Sequence, residues 1–282
     1  MALTEEQTQR YARHIALKEV GAAGQQRLLE AKVLVVGAGA LGSAALLYLA
    51  GAGVGALGIM DDDRVERSNL QRQILYGTKD LGREKVAAAA AAVRERNPEI
   101  TLRQHREKLT PDNAQRVLAD YDLALDCTDR FETKFLLNDA CVLARKPYVH
   151  AGVVRFGGQV MTYVPGRGPC LRCLLGAVPP NTVTGAGAGV LGAAAGVIGS
   201  CQALEAVKCL LGAGDLLTGR VLTFDGLTMA ARVSRVPGAD PDCAVCGTHP
   251  TIDDLTANRR EYEPETVLAG AAHTTEDTKR KD

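Results

Sequence analysis

The stretch Lys32 to Asp63, KVLVVGAGALGSAALLYLAGAGVGALGIMDDD, constrains the fold more than any other. An apolar run, Val33 to Val36, leads into Gly37-Ala38-Gly39-Ala40-Leu41-Gly42. An Ala/Leu-rich segment follows, and then a second apolar run that ends at Asp61. The pattern reads as strand, glycine turn, helix, strand, acid. Glycines permit a tight turn and let a phosphate approach a helix N-terminus, where free N–H groups and the dipole favour an anion. An acid at the end of the second strand can accept hydrogen bonds from ribose hydroxyls. The same turn can also serve only to pack a helix on a sheet, and it does not specify the nucleotide.

Strand–helix alternation continues. Helix signals cover 4–30, with Thr4 as a cap, and Val86 to Asn97, Pro111 to Ala119 and Phe131 to Ala144. Strands are expected at Ile100 to His105, Tyr121 to Asp126 and Pro147 to Ala151. This predicts an α/β fold: a Rossmann-like, mainly parallel sheet with helices on both faces. After Gly152 the pattern changes to antiparallel strands at Gly157 to Val164, Arg220 to Asp225 and Met229 to Arg235, with a long helix from Val190 to Leu211. Ala177 to Gly189 reads as a mobile loop. The expected organisation is a single domain over 1–250, with a nucleotide half near 30–150 and a second half near 151–250. A polar, flexible tail is expected over 251–282.

Lys plus Arg equals Asp plus Glu at 33 each, so no net charge draws the chain to nucleic acid or to a membrane. The most apolar long stretch, Gly189 to Leu211, is interrupted by Ser200, Gln202, Glu205 and Lys208. With no apolar leader at the N-terminus, a cytoplasmic location and reduced or metal-bound thiols are expected for the eight cysteines.

Several polar residues fall where ligands sit in open α/β sheets, beyond the carboxyl ends of strands. Ser68 and Asn69 can start a helix or donate to phosphate, and Arg72 offers a planar fork suited to phosphate oxygens. A capped, charged loop is the competing reading. Lys85 opposes the dipole of the helix it opens, which suggests an anionic partner or a solvated side chain. Asp129 could hold Mg2+ or cap the next helix. Arg13 alone reads as a solvated charge. Cys170/Cys173 and Cys243/Cys246 form two CxxC pairs. Two such pairs can complete a closed tetrahedral site for structural Zn2+, which is favoured over a redox dithiol.

Together, GAGALG, Asp61, the run Ser68-Asn69-Leu70-Gln71-Arg72-Gln73, Lys85, the string Asp126-Cys127-Thr128-Asp129 and the paired CxxC motifs resemble the activating enzymes of ubiquitin-like sulfur carriers. The likeness is to the molybdopterin-synthase adenylyltransferase (MoeB-like) and ThiF-like group, over roughly residues 4–250. It implies that a carrier's C-terminal Gly-Gly carboxylate attacks the α-phosphorus of ATP, giving an acyl-adenylate and pyrophosphate. It further implies a nucleotide site built from Gly37, Gly39, Ala40, Gly42, Asp61, Asp63, Ser68 to Gln73, Lys85, Asp129 and Arg130. Within it, Arg72 and Lys85 would carry positive charge, Asp129 would hold Mg2+ and Asp61 the ribose. Arg13 would act in trans within a homodimer.

Two departures qualify the likeness. Members that bind their carrier covalently place a cysteine in the loop before the long helix, where this chain has Gly185. Adenylation without a covalent carrier link is therefore expected, and with a short, polar tail after Thr251 a fused rhodanese domain is not expected. Ala40 replaces a common third glycine, which is tolerable where backbone amides bind. The alternatives are the same fold acting on a small molecule or tRNA, and a NAD-dependent oxidoreductase, for which no hydride-transfer acid–base pair is evident.

Overall fold

A computed structural model describes residues 2–179 and 185–262. The N-terminal region forms α1 (Glu5–Arg10), α2 (Ala12–Ile15) and α3 (Gly21–Glu30) rather than one helix. Thr4 caps α1 through a reciprocal pair of hydrogen bonds with Gln7. The break lies at Tyr11, which turns inward and is 2% exposed. Its hydroxyl accepts from Asn97 Nδ2 at 2.8 Å. Its ring occupies the space a side chain would need at Gly53, where a Cβ would lie 2.5 Å away. A buried tertiary anchor therefore overrides local helix propensity.

The sheet is built from β1 (Lys32–Val36), β2 (Ala56–Met60), β3 (Thr101–His105), β4 (Leu123–Asp126), β5 (Tyr148–Val154), β6 (Gly157–Tyr163), β7 (Arg220–Asp225) and β8 (Ala230–Arg235). Their order is β3-β2-β1-β4-β5-β6-β7-β8. The first five strands run parallel, and β5 to β8 pair antiparallel. The remaining helices are α4 (Ala40–Ala52), α5 (Lys85–Arg96), α6 (Ala114–Leu118), α7 (Phe131–Leu143), α8 (Leu171–Leu175), α9 (Gly185–Ala188) and α10 (Gly192–Leu211).

Strand alternation divides the core into two layers. Val33 and Val35 of β1 face a layer shared with α4, α5 and α10. Leu34 and Val36 face the opposite layer, shared with α6, α7 and the cysteine-rich segments. Helix α10 is long and apolar enough to cross a membrane by length and composition. Here it packs on α4, β5 and β6, and its Glu205 accepts from Thr162 Oγ1 and from the Leu217 N–H.

The polar composition after Thr251 conceals four anchoring residues. Ile252, Leu255 and Tyr262 are buried in the α7 layer, and Tyr262 donates to Asp139 Oδ2 at 2.8 Å. Arg259 pairs with Asp112 at 2.6 Å. Residues 251–262 therefore belong to the folded body and not to a loose tail; residues 263–282 lie outside the described residues, as does 180–184 of the expected mobile loop.

Candidate active site and cysteine cluster

The glycine turn lies where the strand order reverses, with β2 and β4 on either side of β1. A cleft of about 900 Å³ opens there, at the carboxyl ends of the parallel strands. The three glycines of the turn have different jobs. Gly37 has φ +95°, and a Cβ on it would lie 2.6 Å from the Cys127 carbonyl oxygen. A Cβ on Gly42 would lie 2.1 Å from the Gly37 carbonyl oxygen. Both glycines are required by the protein's own packing. Gly39, which precedes α4, meets only Gln73 Nε2 at 3.7 Å and faces the cleft. Gly42→Ala is therefore expected to prevent folding, whereas Gly39→Ala should keep the melting temperature and weaken nucleotide binding about tenfold. Thermal melts and nucleotide titration of the two variants check this contrast.

Asp61 braces the turn from the end of β2. Its Oδ2 accepts from the Ala38 N–H at 2.8 Å and its Oδ1 from the Asp63 N–H at 2.9 Å. Burial pushes its carboxyl above the usual range, against the pull of Lys85 and these two N–H donors. Lys85, the first residue of α5, is buried and reaches Asp63 at 2.8 Å and Asp61 at 3.9 Å. The anionic partner suggested by its position at a helix start is thus found within the chain. Tyr76 ties the same corner together by donating to the Ala38 carbonyl at 2.7 Å.

The polar loop after β2 works as an aiming device. Ser68 and Asn69 bond locally to Glu66, at 3.2 and 3.3 Å. Neither they nor Leu70 and Gln71 line the cleft; their turn aims Arg72 and Gln73 inward. Arg72 donates to the Ser68 carbonyl at 3.0 Å and to Gln71 Oε1 at 3.2 Å, with no carboxylate partner among the described residues. Gln73 is 3% exposed, and its Oε1 has no hydrogen-bond partner among them. A buried amide oxygen left without a donor is costly. Asp129 and Arg130 lie exposed on the rim and line the same cleft. Arg13 is exposed on α2 and does not line the cleft of its own chain.

The floor holds groups to which the sequence reading gave no role. Asp126, fully buried at the end of β4, faces Lys134 Nζ at 3.2 Å and His150 Nδ1 at 2.7 Å. Thr128 Oγ1 donates to it at 2.7 Å. Burial opposes the Asp126 charge, but Lys134, His150 and Thr128 outweigh burial and hold its carboxyl at about 2. Burial lowers His150 despite the neighbouring carboxylate. Its imidazole is then neutral, with Nδ1–H donating to Asp126. Lys134 also donates to the Ala151 carbonyl at 2.7 Å. Lys134, Asn138 and Asp139 are the buried polar residues of α7, and nothing local in the sequence names the partner of Lys134. Beyond this floor the cleft continues along Gly152, Val153, Val154, Gly158, Gln159 and Thr223, a less polar wall of β5, β6 and β7.

The four paired cysteines converge away from the cleft. Their Sγ atoms lie within 4.8 Å of one another. Separations of 3.8 Å (Cys170–Cys173), 3.6 Å (Cys170–Cys243), 3.3 Å (Cys173–Cys246) and 3.5 Å (Cys170–Cys246) approach the edge of a tetrahedron with metal–sulfur bonds of about 2.3 Å. The Asp240 N–H points at Cys173 Sγ and Asn138 Nδ2 at Cys170 Sγ, the donors that thiolates attract. A redox pair needs two sulfurs; convergence of four fits a metal. Arg172, between Cys170 and Cys173, pairs with buried Asp139 at 2.8 Å and fixes the cluster to α7.

Comparison with known proteins places this architecture in a family. The ThiF family model matches residues 11–245. The adenylyltransferase and sulfurtransferase MOCS3 of Bos taurus is 47% identical over 264 residues, covering 93% of this chain and 57% of that protein. Its namesake in Culex quinquefasciatus is 46% identical over 255 residues, covering 90% and 58%. The chain thus spans rather more than half the length of these relatives. Among solved structures, MccB of E. coli superposes with TM-score 0.73 at 23% identity, over 88% of this chain and 75% of that one. A complex described as E. coli MccB with ATP gives TM-score 0.71 at 24% identity, over 86% and 74%. These two likenesses concern the fold. Glycine turn, reversed strand order, antiparallel extension and sequence match together show that the chain belongs to the ThiF family.

Proposed function

We propose that the protein is an adenylyltransferase that activates the C-terminal Gly-Gly carboxylate of a small ubiquitin-like sulfur carrier, in molybdenum cofactor, thiamine or related sulfur-transfer biosynthesis. The observation that carries this reading is the placement of two positive groups, Arg72 and Lys85, on the wall of an open cleft at the glycine turn. A carboxylate is already a nucleophile, so the site needs no base. It must align two anions and neutralise charge on the phosphates. The carboxylate oxygen bonds to the α-phosphorus, and the bond to the bridging oxygen breaks to release pyrophosphate. Gly39 and Ala40 offer backbone to the nucleotide, Asp61 receives the ribose, and Arg72 and Lys85 balance the phosphates. Asp129 would hold Mg2+, which screens phosphate charge when bound. The β5–β6–β7 wall guides the carrier tail. Arg13, exposed on α2, serves the cleft of a second copy in a homodimer.

Gly185 has no thiol, so the adenylate passes to a sulfur donor without a thioester on this residue. Incubation with ATP and a Gly-Gly-ending carrier from the same genome should raise the carrier's mass by one AMP, read by mass spectrometry. An unmodified carrier, with AMP instead on a small molecule or tRNA, would overturn the assignment.

Cys170, Cys173, Cys243 and Cys246 would hold Zn2+ in a closed, structural site. Purified protein should contain one zinc per chain. Cys243→Ser should lose it and unfold at a lower temperature, because folding and metal binding are coupled. Elemental analysis and a thermal melt check both outcomes.

A further inference from the structure

His150 lines the cleft together with the glycine turn on one side and the β5–β6–β7 wall on the other. In register it pairs with Asp126 of β4, which pairs with Val36, the last residue of β1 before the glycine turn. Above it, β5 continues as the wall through Gly152 to Val154. His150 lines the same cleft as that wall and the turn, so a chain end running from one to the other would pass beside it. The imidazole is held from below by the 2.7 Å bond to Asp126. Asp126 is itself fixed by Lys134 and Thr128. The tautomer is therefore set: Nδ1 carries the proton, and Nε2 is left as a hydrogen-bond acceptor of fixed sense.

We infer that His150 is a positioning residue for the carrier tail: its Nε2 accepts a hydrogen bond from the last peptide N–H and so sets the terminal carboxylate opposite the glycine turn. This inference rests on the adenylation reading and adds to it a recognition rule for the tail. A carboxylate or an ester cannot supply that hydrogen; the amide N–H of the last residue can. The charged groups facing the imidazole are Asp126 from β4 and Lys134 from α7. They are paired with each other, so the contact acts through hydrogen-bond direction and not through net charge.

The test uses the full-length enzyme, ATP and a Gly-Gly-ending carrier from the same genome in pyrophosphate exchange. His150→Asn keeps a donor for Asp126 but withdraws the acceptor from the cleft. It should raise KM for the carrier about tenfold while leaving ATP affinity within a factor of two. His150→Gln, which extends further, should recover part of the loss. A semisynthetic carrier ending in glycine-sarcosine lacks the last peptide N–H. It should lose the same factor against the wild-type enzyme and nothing further against His150→Asn. For the wild type, carrier KM should rise as acid protonates the imidazole and turns Nε2 into a donor; the Asn variant should lack this rise. Full use of the sarcosine carrier by the wild type, or a carrier KM that falls in acid, overturns the inference even if His150→Asn does not fold. Absence of exchange by the wild type with the native carrier would instead remove the adenylation reading itself.

Discussion

Lys85→Ala and Arg72→Ala should each lower carrier-dependent pyrophosphate exchange by about 10²–10³-fold, with the fold and metal content unchanged. The loss is large because each side chain opposes charge that builds on the phosphates at the cleft wall. The fold should survive for reasons visible at each residue. Asp63, the nearer partner of Lys85, is two-thirds exposed and can turn to water. Arg72 bonds only to one carbonyl and one amide oxygen of its own turn. Residual exchange near wild-type level in either variant would refute its role. Mixing Lys85→Ala with Arg13→Ala extends the test to the assembly. If Arg13 acts in trans, only the mixed dimer assembles an intact site, and activity should return to about a quarter of wild type. No recovery on subunit exchange would exclude the trans arrangement.

The second large effect concerns stability. Asp126→Ala should cost about 3–5 kcal/mol, because it strands the Lys134 charge in a fully buried floor. Denaturant midpoints measure it. A loss below about 1 kcal/mol would mean that Lys134 finds water or another partner. The same cluster sets an acid limit. The folded-state carboxyl of Asp126 lies at about 2, below its ordinary 3.8. Its contribution is therefore full above pH 4 or so and is lost as pH falls toward 2. His150 acts in the same direction through the opposite kind of group. A histidine held neutral by burial opposes folding once acid would protonate it in the unfolded chain, below about pH 6.5. Stability should therefore decline in two stages on acidification, the earlier stage absent in His150→Asn.

How far the sequence could be read depended on whether the signal was local. The glycine turn, the strand ends at Asp61 and Asp126 and the CxxC pairs are short patterns with fixed backbone consequences, and they mark the cleft and the cysteine cluster. The same holds for the change from parallel to antiparallel pairing after Gly152. Lys134 and His150 were missed because their partnership with Asp126 exists only through strand pairing and the packing of α7. Tyr11 broke the expected N-terminal helix by reaching Asn97, 86 positions along the chain. Residues 251–262 read as tail because three buried side chains in an otherwise polar stretch are too sparse to mark a core-facing segment. Ser68 and Asn69 show, of the two readings open to them, the local one: both bond to Glu66 in the turn that presents Arg72 and Gln73.

Carrier-dependent exchange between pyrophosphate and ATP tests adenylation most directly. Exchange that requires both ATP and a small protein ending in Gly-Gly, and that disappears when the last glycine is removed, is the expected result. Exchange that proceeds without any carrier, or a lack of exchange with every Gly-Gly-ending small protein of the same genome, would contradict it.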